Sequence, residues 1–118
     1  FNLEDYVVYS SFNHDSIGLI KQIKADAEVA YLAGDYHRCM DGISKYGGMT
    51  IHPAQLGMPV NKSNVEAIKN AGLRVRMWNG SEPLYGQLRT LPDMDLREYY
   101  RLGATDIFTN VPEKYCEK

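Results

Sequence analysis

The sequence is poor in cysteine, lacks a long apolar run and carries no excess of basic residues. Its two cysteines, Cys39 and Cys116, lie far apart and neither belongs to a Cys-x-x-Cys pair, so we expect free thiols rather than a disulfide framework or a zinc ribbon. Charge or glycine interrupts every apolar run well before the roughly 18 residues that a membrane helix requires, which predicts no transmembrane segment. The 13 lysines and arginines are outnumbered by 15 aspartates and glutamates, for a net charge of −2. This balance argues against a nucleic-acid-binding protein.

Several catalytic and cofactor motifs are also missing. The sequence contains no Gly-x-Gly-x-x-Gly, no Gly-x-x-x-x-Gly-Lys-Ser/Thr, no Gly-x-Ser-x-Gly and no His-Glu-x-x-His, so nucleotide binding and serine or zinc hydrolysis have no positive support. No two of the histidines His14, His37 and His52 have the spacing of a metal site, and each is open to interpretation as a surface or capping residue. The carboxylates are scattered, and Asp106 is interpreted as opening a strand rather than a site. No general acid–base pair is therefore assigned.

The composition is that of a folded globular chain. Of the 118 residues, 44% are hydrophobic and 24% are charged, which is close to the average for soluble domains and far from that of disordered segments. The length allows one packed domain covering residues 1–118. Because the chain begins at Phe1 and not at methionine, we expect a processed product or a fragment of a longer protein.

Five short runs rich in β-branched and aromatic residues recur along the chain. They are Tyr6–Phe12, Glu28–Leu32, Met49–His52, Leu73–Trp78 and Thr105–Thr109. Successive runs start roughly 20 to 30 residues apart, which leaves room for a strand, a loop and a crossover helix but is too long for a hairpin. The spacing therefore predicts an α/β fold of successive βα units with a parallel sheet.

The segments between these runs carry helix signals, and they predict four helices. The first helix is capped by Asn13 or Asp15 and has an apolar stripe of Ile17, Leu19, Ile20 and Ile23, and the second covers Asp35–Tyr46 with an interruption at Gly42. The third begins with a capping box of Ser63 and Glu66 and stops at Gly72. The fourth starts near Asp93 or Asp95 and stops at Gly103. The segment Asn79–Pro92 is rich in Gly and Pro, which predicts a long loop.

Polar residues follow several of the predicted strands at their carboxyl ends. They are Ser10, Ser11, His52, Asn79 and Asn110, and Trp78 closes its own strand. In parallel α/β folds this edge of the sheet binds ligands. Each of these residues alone is also open to interpretation as a helix cap, but the set as a whole favours a shared pocket rim.

Three longer segments are more informative together than any one of them is alone. They are Val-Val-Tyr-Ser-Ser-Phe-Asn-His-Asp at 7–15, Leu-Arg-Val-Arg-Met-Trp-Asn at 73–79 after Ala71-Gly72, and Arg-Leu-Gly-Ala-Thr-Asp-Ile-Phe-Thr-Asn-Val-Pro at 101–112. In order and spacing they resemble the serine-phenylalanine strand, the late tryptophan strand and the closing leucine-glycine-valine-aspartate element of the glycerophosphodiester phosphodiesterase family. The resemblance spans almost the whole chain.

This resemblance implies a partial (β/α)8 barrel of about five βα units, corresponding to strands four to eight of that family. Residues 1–118 are then the C-terminal part of the barrel, and the N-terminal catalytic part is absent. The family hydrolyses glycerophosphodiesters to glycerol phosphate and an alcohol with two histidines and a divalent cation, Ca²⁺ or Mg²⁺. No segment here matches the family's catalytic or metal-binding motifs, so we assign no catalytic or metal-binding residue and expect the isolated chain to be inactive.

The resemblance also implies a substrate-binding wall. Phe12 and Trp78 match the family's apolar side, against which the glycerol or alcohol moiety of a small glycerophosphodiester packs, although ordinary barrel packing is the alternative for both residues. Ser11, His52 and Asn79 are candidates for polar groups that orient the substrate. The sequence departs from the family pattern at Asn110, which replaces the customary aspartate, and at residues 80–83, which lengthen the loop after Asn79.

Five strands of an eight-stranded barrel leave two unpaired edges and an exposed inner face. We therefore expect another copy of the chain, as a homo-oligomer, or a complementing half-barrel to cover them. Two other functions stay open. One is a non-catalytic binding or assembly module that retains only the pocket wall, and the other is a domain of a different barrel family that binds a phosphorylated metabolite.

Overall fold

A computed structural model describes residues 3–53, 61–78 and 97–108 of the chain. Its strands are β1 (Val8–Ser11), β2 (Glu28–Ala33), β3 (Thr50–Pro53), β4 (Arg74–Trp78) and β5 (Asp106–Phe108). Its helices are α1 (His14–Ile23), α2 (Tyr36–Tyr46), α3 (Lys62–Asn70) and α4 (Arg97–Leu102), and a short 3-10 helix, Glu4–Tyr6, precedes β1. The five predicted strands are confirmed, with ends that differ by one or two residues. The predicted loop at 79–92, the start of the last helix near Asp93 or Asp95, and Asn79, Asn110 and Cys116 lie outside the described residues.

All five strands form one parallel sheet in the order β1-β2-β3-β4-β5. Each strand pairs with the next one along the chain, because a crossover helix connects strands that lie side by side. The sheet curls into a half-barrel with the helices outside it. The predicted fold class, an α/β partial (β/α)8 barrel, is confirmed.

The convex face of the sheet holds the hydrophobic core. Alternate strand residues point to opposite faces, and those on the outer face pack against the helices. The fully buried side chains of this layer include Val29, Tyr31, Ile51, Val75 and Met77 from the strands and Ile17, Cys39, Val65 and Tyr99 from the helices. Cys39 is a free, buried cysteine whose thiol donates to the carbonyl oxygen of Tyr31 at 3.0 Å, and burial raises the pKa of this thiol to about 12.

Two helix starts agree with the sequence prediction and one does not. The side chain of Asn13 accepts hydrogen bonds from the backbone of Asp15 and Ser16, and Asp35 caps α2 in the same way. The predicted capping box of Ser63 and Glu66 is wrong, since the side chains of Asn61 and Asn64 exchange hydrogen bonds with each other's backbone N–H. The amide oxygen of an asparagine can accept the hydrogen bond at either position of a capping box. The helix therefore begins two residues earlier than predicted.

The predicted apolar stripe on α1 is only half correct. Ile17 is fully buried and Ile20 is partly buried, but Leu19 and Ile23 are 60% and 88% exposed. At about 100° per residue, Leu19 and Ile23 lie on the side of the helix opposite Ile17. The four residues therefore occupy two faces, and only one of these faces packs on the sheet.

None of the described helices has the length and apolar character needed to cross a membrane.

Gly42 does not interrupt α2, because the helix needs a residue without a side chain there. A Cβ atom at this position would lie 2.2 Å from Cδ1 of Tyr31. Tyr31 is fully buried, and its hydroxyl donates to the carbonyl oxygen of Gly47. The ring is thus held at both ends and cannot move away.

We expect the substitution Gly42→Ala to lower the free energy of unfolding by about 1 to 3 kcal/mol, because overpacking outweighs the better helix propensity of alanine. Chemical denaturation of the two proteins measures the difference. Ser44→Ala, at an exposed position of the same helix, is the matched control and should cost nothing. An unchanged or higher stability of Gly42→Ala would show that α2 tolerates a wider separation from β2.

Candidate functional site

Two aromatic rings meet at the carboxyl-end rim of the sheet. Phe12 follows β1 directly and Trp78 ends β4, and their ring centroids are 5.7 Å apart with an angle of 80° between the ring planes. In a flat sheet, β1 and β4 would be separated by about 14 Å, three strand spacings. The contact therefore depends on the curl of the sheet and on both rings pointing to its concave side. Phe12 is 61% exposed, which leaves one side of this aromatic pair open.

His52 lies on the concave face of β3, next to Trp78. Its Nδ1 is 2.9 Å from the Oγ of Ser10 on β1. Its backbone carbonyl accepts a hydrogen bond from Nε1 of Trp78 at 3.0 Å. The ring of Phe108 on β5 meets the imidazole edge-on at 4.8 Å. The imidazole is thus fixed by contacts with β1 and β5, and its backbone is tied to β4.

The imidazole of His52 is neutral near pH 7. Only 3% of the residue is exposed, and burial lowers the pKa to about 4, with a smaller effect from the positive charge of Arg76 that Asp106 partly opposes. Its Nε2 is buried and has no hydrogen-bond partner among the described residues. An imidazole held in this way presents one hydrogen-bonding atom that is not yet used.

A chain of ion pairs crosses the same concave face. Nε of Arg76 lies 3.1 Å from Oδ2 of Asp106. Oε1 of Glu28 lies 3.0 Å from Nη1 of Arg74 and 3.7 Å from Nη2 of Arg76. The side chain of Arg76 is the least exposed of the four, at 19%. Two arginines face two carboxylates, so the cluster has no net charge.

A cavity of about 450 Å³, called here the inner-face cavity, lies on the concave face. It is lined by Val8, Ser10, His52, Arg76, Asp106 and Phe108. The sequence analysis did not place Arg76, Asp106 or Phe108 at a site. Strand alternation was the available signal, since Arg76 stands two residues before Trp78 and therefore points to the same face.

The structure brings together three of the five predicted substrate-binding residues, namely Phe12, His52 and Trp78. Ser11 lies on the opposite face from Ser10, and its Oγ accepts the backbone N–H of Asn13 at 3.0 Å. Asn79 lies outside the described residues. Asp106 opens β5 as expected, and its side chain also lines the cavity.

The other two histidines lie outside the inner-face cavity. Nε2 of His14 donates to the carbonyl oxygen of Leu32 at 2.8 Å, and its ring meets Tyr31 edge-on. His37 is exposed and packs on Tyr36. The exposure of His37 agrees with its interpretation as a surface residue, whereas His14 is half-buried and bonds to a strand carbonyl rather than capping a helix.

The described residues do not fit a divalent cation. None of the described residues forms a group of three or more His, Cys, Asp or Glu side chains that could hold a metal ion. The two carboxylates of the concave face, Glu28 and Asp106, are each paired with an arginine, and an arginine beside a carboxylate competes with a cation for its oxygens. We therefore assign no metal ligand among the described residues.

The neutral state of His52 predicts that acid destabilises the fold. Between the ordinary pKa of 6.5 and the folded value of about 4, the unfolded chain binds a proton that the folded chain does not. The free energy of unfolding should therefore fall as the pH is lowered through this window, by up to about 3 kcal/mol. Urea denaturation at closely spaced pH values measures this slope.

The variant His52→Phe, which keeps a ring of similar size, should lose the His52 part of this slope. The same change at exposed His37 is the control and should keep it. A slope that is identical in the wild-type chain and in His52→Phe would show that His52 is not buried in the neutral form.

No protein-family profile matches this chain. Among curated proteins, the chain is 29% identical over 115 residues to the uncharacterized protein YqiK of Bacillus subtilis (strain 168). The alignment covers 97% of this chain and 43% of that protein. The chain thus spans less than half the length of the curated relative that it matches.

Among solved structures, the chain is similar to a Galdieria sulphuraria protein assigned to the glycerophosphodiester phosphodiesterases, with a TM-score of 0.70. The superposition covers 95% of this chain and 43% of that chain, at 16% sequence identity. At this identity the likeness concerns the fold. The resemblance predicted from the sequence is therefore confirmed at that level, and the chain has the fold of part of a glycerophosphodiester phosphodiesterase.

Proposed function

We propose that this chain is the substrate-binding part of a glycerophosphodiester phosphodiesterase, a hydrolase that releases glycerol phosphate and an alcohol. The observation that carries the proposal is the contact between Phe12 and Trp78, with Trp78 hydrogen-bonded to the backbone of the buried His52, at the sheet edge where parallel barrels bind their ligands. The fold shared with the Galdieria sulphuraria protein supports the same function. Both aromatic residues are those that the sequence resemblance assigns to the apolar side of the pocket.

In this proposal the rings of Phe12 and Trp78 pack against the alcohol or glycerol part of the substrate and exclude water from it. The acid–base residues and the ligands of a divalent cation, Ca²⁺ or Mg²⁺, belong to barrel strands outside this chain. The cation would stabilise the charge that develops on the phosphate during hydrolysis. The described residues bind and orient, and we assign them no proton transfer.

Trp78 allows a direct test, since it is the one tryptophan of the sequence and lies in the proposed site. Titration of the 118-residue chain with glycerophosphocholine or glycerophosphoinositol should change the Trp78 fluorescence in a saturable way, without release of glycerol phosphate. Phe12→Ala should weaken this binding about tenfold, because it removes one wall of the pocket.

Tyr100→Ala, which removes an aromatic side chain that is 59% exposed on α4, is the control and should bind normally. If neither diester changes the fluorescence of the folded chain, the proposed pocket is wrong. Hydrolysis by the isolated chain would contradict the placement of the catalytic groups elsewhere. Equally tight binding of glycerol 3-phosphate would favour a barrel that binds a phosphorylated metabolite.

We further propose that the open half-barrel associates through its edges. Among the described residues, β1 pairs only with β2 and β5 pairs only with β4, so backbone groups at both edges lack a strand partner. Three apolar side chains just before β1, those of Leu3, Tyr6 and Val7, are exposed. A complementing half-barrel in the whole protein, or another copy of the isolated chain, would cover these groups.

The isolated chain should therefore elute from a sizing column with a mass well above 13.4 kDa that increases with concentration. Light scattering during the same run gives the mass independently of shape. A stable monomer at all concentrations would contradict the proposed edge association without affecting the pocket.

A further inference from the structure

The hydrogen-bond ladder between β3 and β4 stops before it reaches the rim of the sheet. The two strands pair Thr50 with Arg74 and Ile51 with Val75. The last three residues of β4, Arg76–Trp78, pair with β5 instead. β4 is therefore joined to β3 by its first half and to β5 by its second half.

Pro53, the last residue of β3, accounts for this change of partner. The backbone N–H of Arg74 donates to the carbonyl oxygen of Met49 at 2.7 Å, so the backbone groups of Arg74 point toward β3 on either side of its partner Thr50. Two residues further along, the carbonyl oxygen of Arg76 would accept the N–H of residue 53 in the same way. Proline has no N–H, which is why it is rare within a central strand. The next pair of the ladder therefore does not form.

The indole of Trp78 joins the two strands beyond this point. Its Nε1 donates to the carbonyl oxygen of His52 at 3.0 Å, and its ring meets that of Phe12 at 5.7 Å. Within the described residues of β3 and β4, the ladder itself has already ended at Ile51 and Val75. The orientation of the indole thus depends on a side-chain hydrogen bond at a place where the backbone makes no pair.

The ring of Pro53 points away from the aromatic rim. Pro53 is fully buried, and it stands two residues after Ile51, which belongs to the core under the helices. Residues two apart in a strand point to the same face. Pro53 therefore acts on Trp78 through the backbone, since its side chain packs in the core.

We infer that Pro53 is a positioning residue for Trp78: by withholding a backbone donor at the end of β3, it ends the ladder with β4 and leaves the indole to join the strands and to face Phe12. This inference rests on the proposed function, in which the two rings form the apolar side of the substrate pocket. It adds that the backbone sets the geometry of that side before the substrate binds, which lowers the cost of ordering the pocket.

The variants Pro53→Val and Pro53→Ala test the inference, because both restore the donor but only valine keeps most of the buried volume. Trp78 is the one tryptophan of the sequence, so its indole N–H gives a single NMR signal in the folded 118-residue chain. In both variants, this proton should exchange with solvent at least about tenfold faster, and the nuclear Overhauser contacts between the rings of Trp78 and Phe12 should be lost.

The control is Ile51→Val, which removes one carbon from the same buried layer and leaves every backbone donor in place. It should change neither the exchange of the indole proton nor the contacts between the rings. Circular dichroism confirms the fold of each variant, and Pro53→Val is the deciding one because valine is favoured in strands.

The same variants connect the position of the indole to binding. Both Pro53→Val and Pro53→Ala should bind glycerophosphocholine about three- to tenfold more weakly than the wild-type chain, whereas Ile51→Val should bind it normally. The affinities are measured from NMR shifts of the Phe12 ring, so that they do not depend on Trp78 fluorescence.

Three results would overturn the inference. The first is an indole proton that exchanges in Pro53→Val as slowly as in the wild-type chain. The second is release of the indole in Pro53→Ala alone, since the lost volume and not the missing donor would then be the cause. The third is release of the indole in both variants with unchanged affinity for the diester.

The proposed function fails separately. If the wild-type chain binds neither glycerophosphocholine nor glycerophosphoinositol while both variants release the indole, Pro53 positions Trp78 in a protein of another function. If the wild-type chain and both variants bind the diester equally and the indole proton exchanges at the same rate in all three, the proposed function stands and Pro53 has no positioning role.

Discussion

The curl of the parallel sheet is the constraint on which the rest of this structure depends. Side chains on β1 and β3, on β2 and β4, and on β3 and β5 make contact although a strand lies between them. The distance of 2.9 Å between Ser10 and His52 and that of 3.0 Å between Glu28 and Arg74 are examples. Strands two apart are separated by about 10 Å in a flat sheet, so a concave surface brings these pairs together, above all the short side chain of Ser10 and the ring of His52. The same curl widens the opposite face, where Val29, Ile51 and Val75 lie under the helices.

The alternation of side chains along each strand places the apolar core and the polar cavity on opposite faces of the sheet. In β4, Val75 and Met77 are buried against the helices, and Arg74, Arg76 and Trp78 face the concave side. A shift of this strand by one residue would bury two arginines in an apolar layer, which is far more costly than the loss of one backbone hydrogen bond. The ion pairs of Arg76 with Glu28 and Asp106 add a further constraint, since both carboxylates are reached only in this register. The apolar core and the polar cavity therefore fix the register together.

The sequence predicts the elements of this fold better than it predicts the site. Hydrophobic periodicity and strand spacing are local, and they were sufficient for five strands and for α1 and α2. The wrong predictions also have local causes. The capping box of α3 was misplaced because Asn61 and Ser63 are both good capping residues. The apolar stripe of α1 was only half correct because a count of apolar residues does not show on which face each one lies. His52 and Trp78 were found because they close strands, and Phe12 was found only through the family resemblance. Arg76 and Asp106 were missed because their pairing depends on the register of β4 and β5, which no short segment encodes.

His52 connects the fold to the proposed chemistry. Its ring contacts β1 and β5, its carbonyl oxygen holds Trp78 on β4, and Trp78 in turn meets Phe12 beyond β1. A change in the protonation or packing of His52 would therefore move the aromatic rim as well as the inner-face cavity. Glu28, Arg74, Arg76 and Asp106 are paired with one another, so these described charged groups of the concave face offer no excess charge with which to hold a phosphate. In the proposed function, this part of the barrel therefore positions the alcohol, and the charged groups that act on the phosphate approach from the strands that complete the barrel.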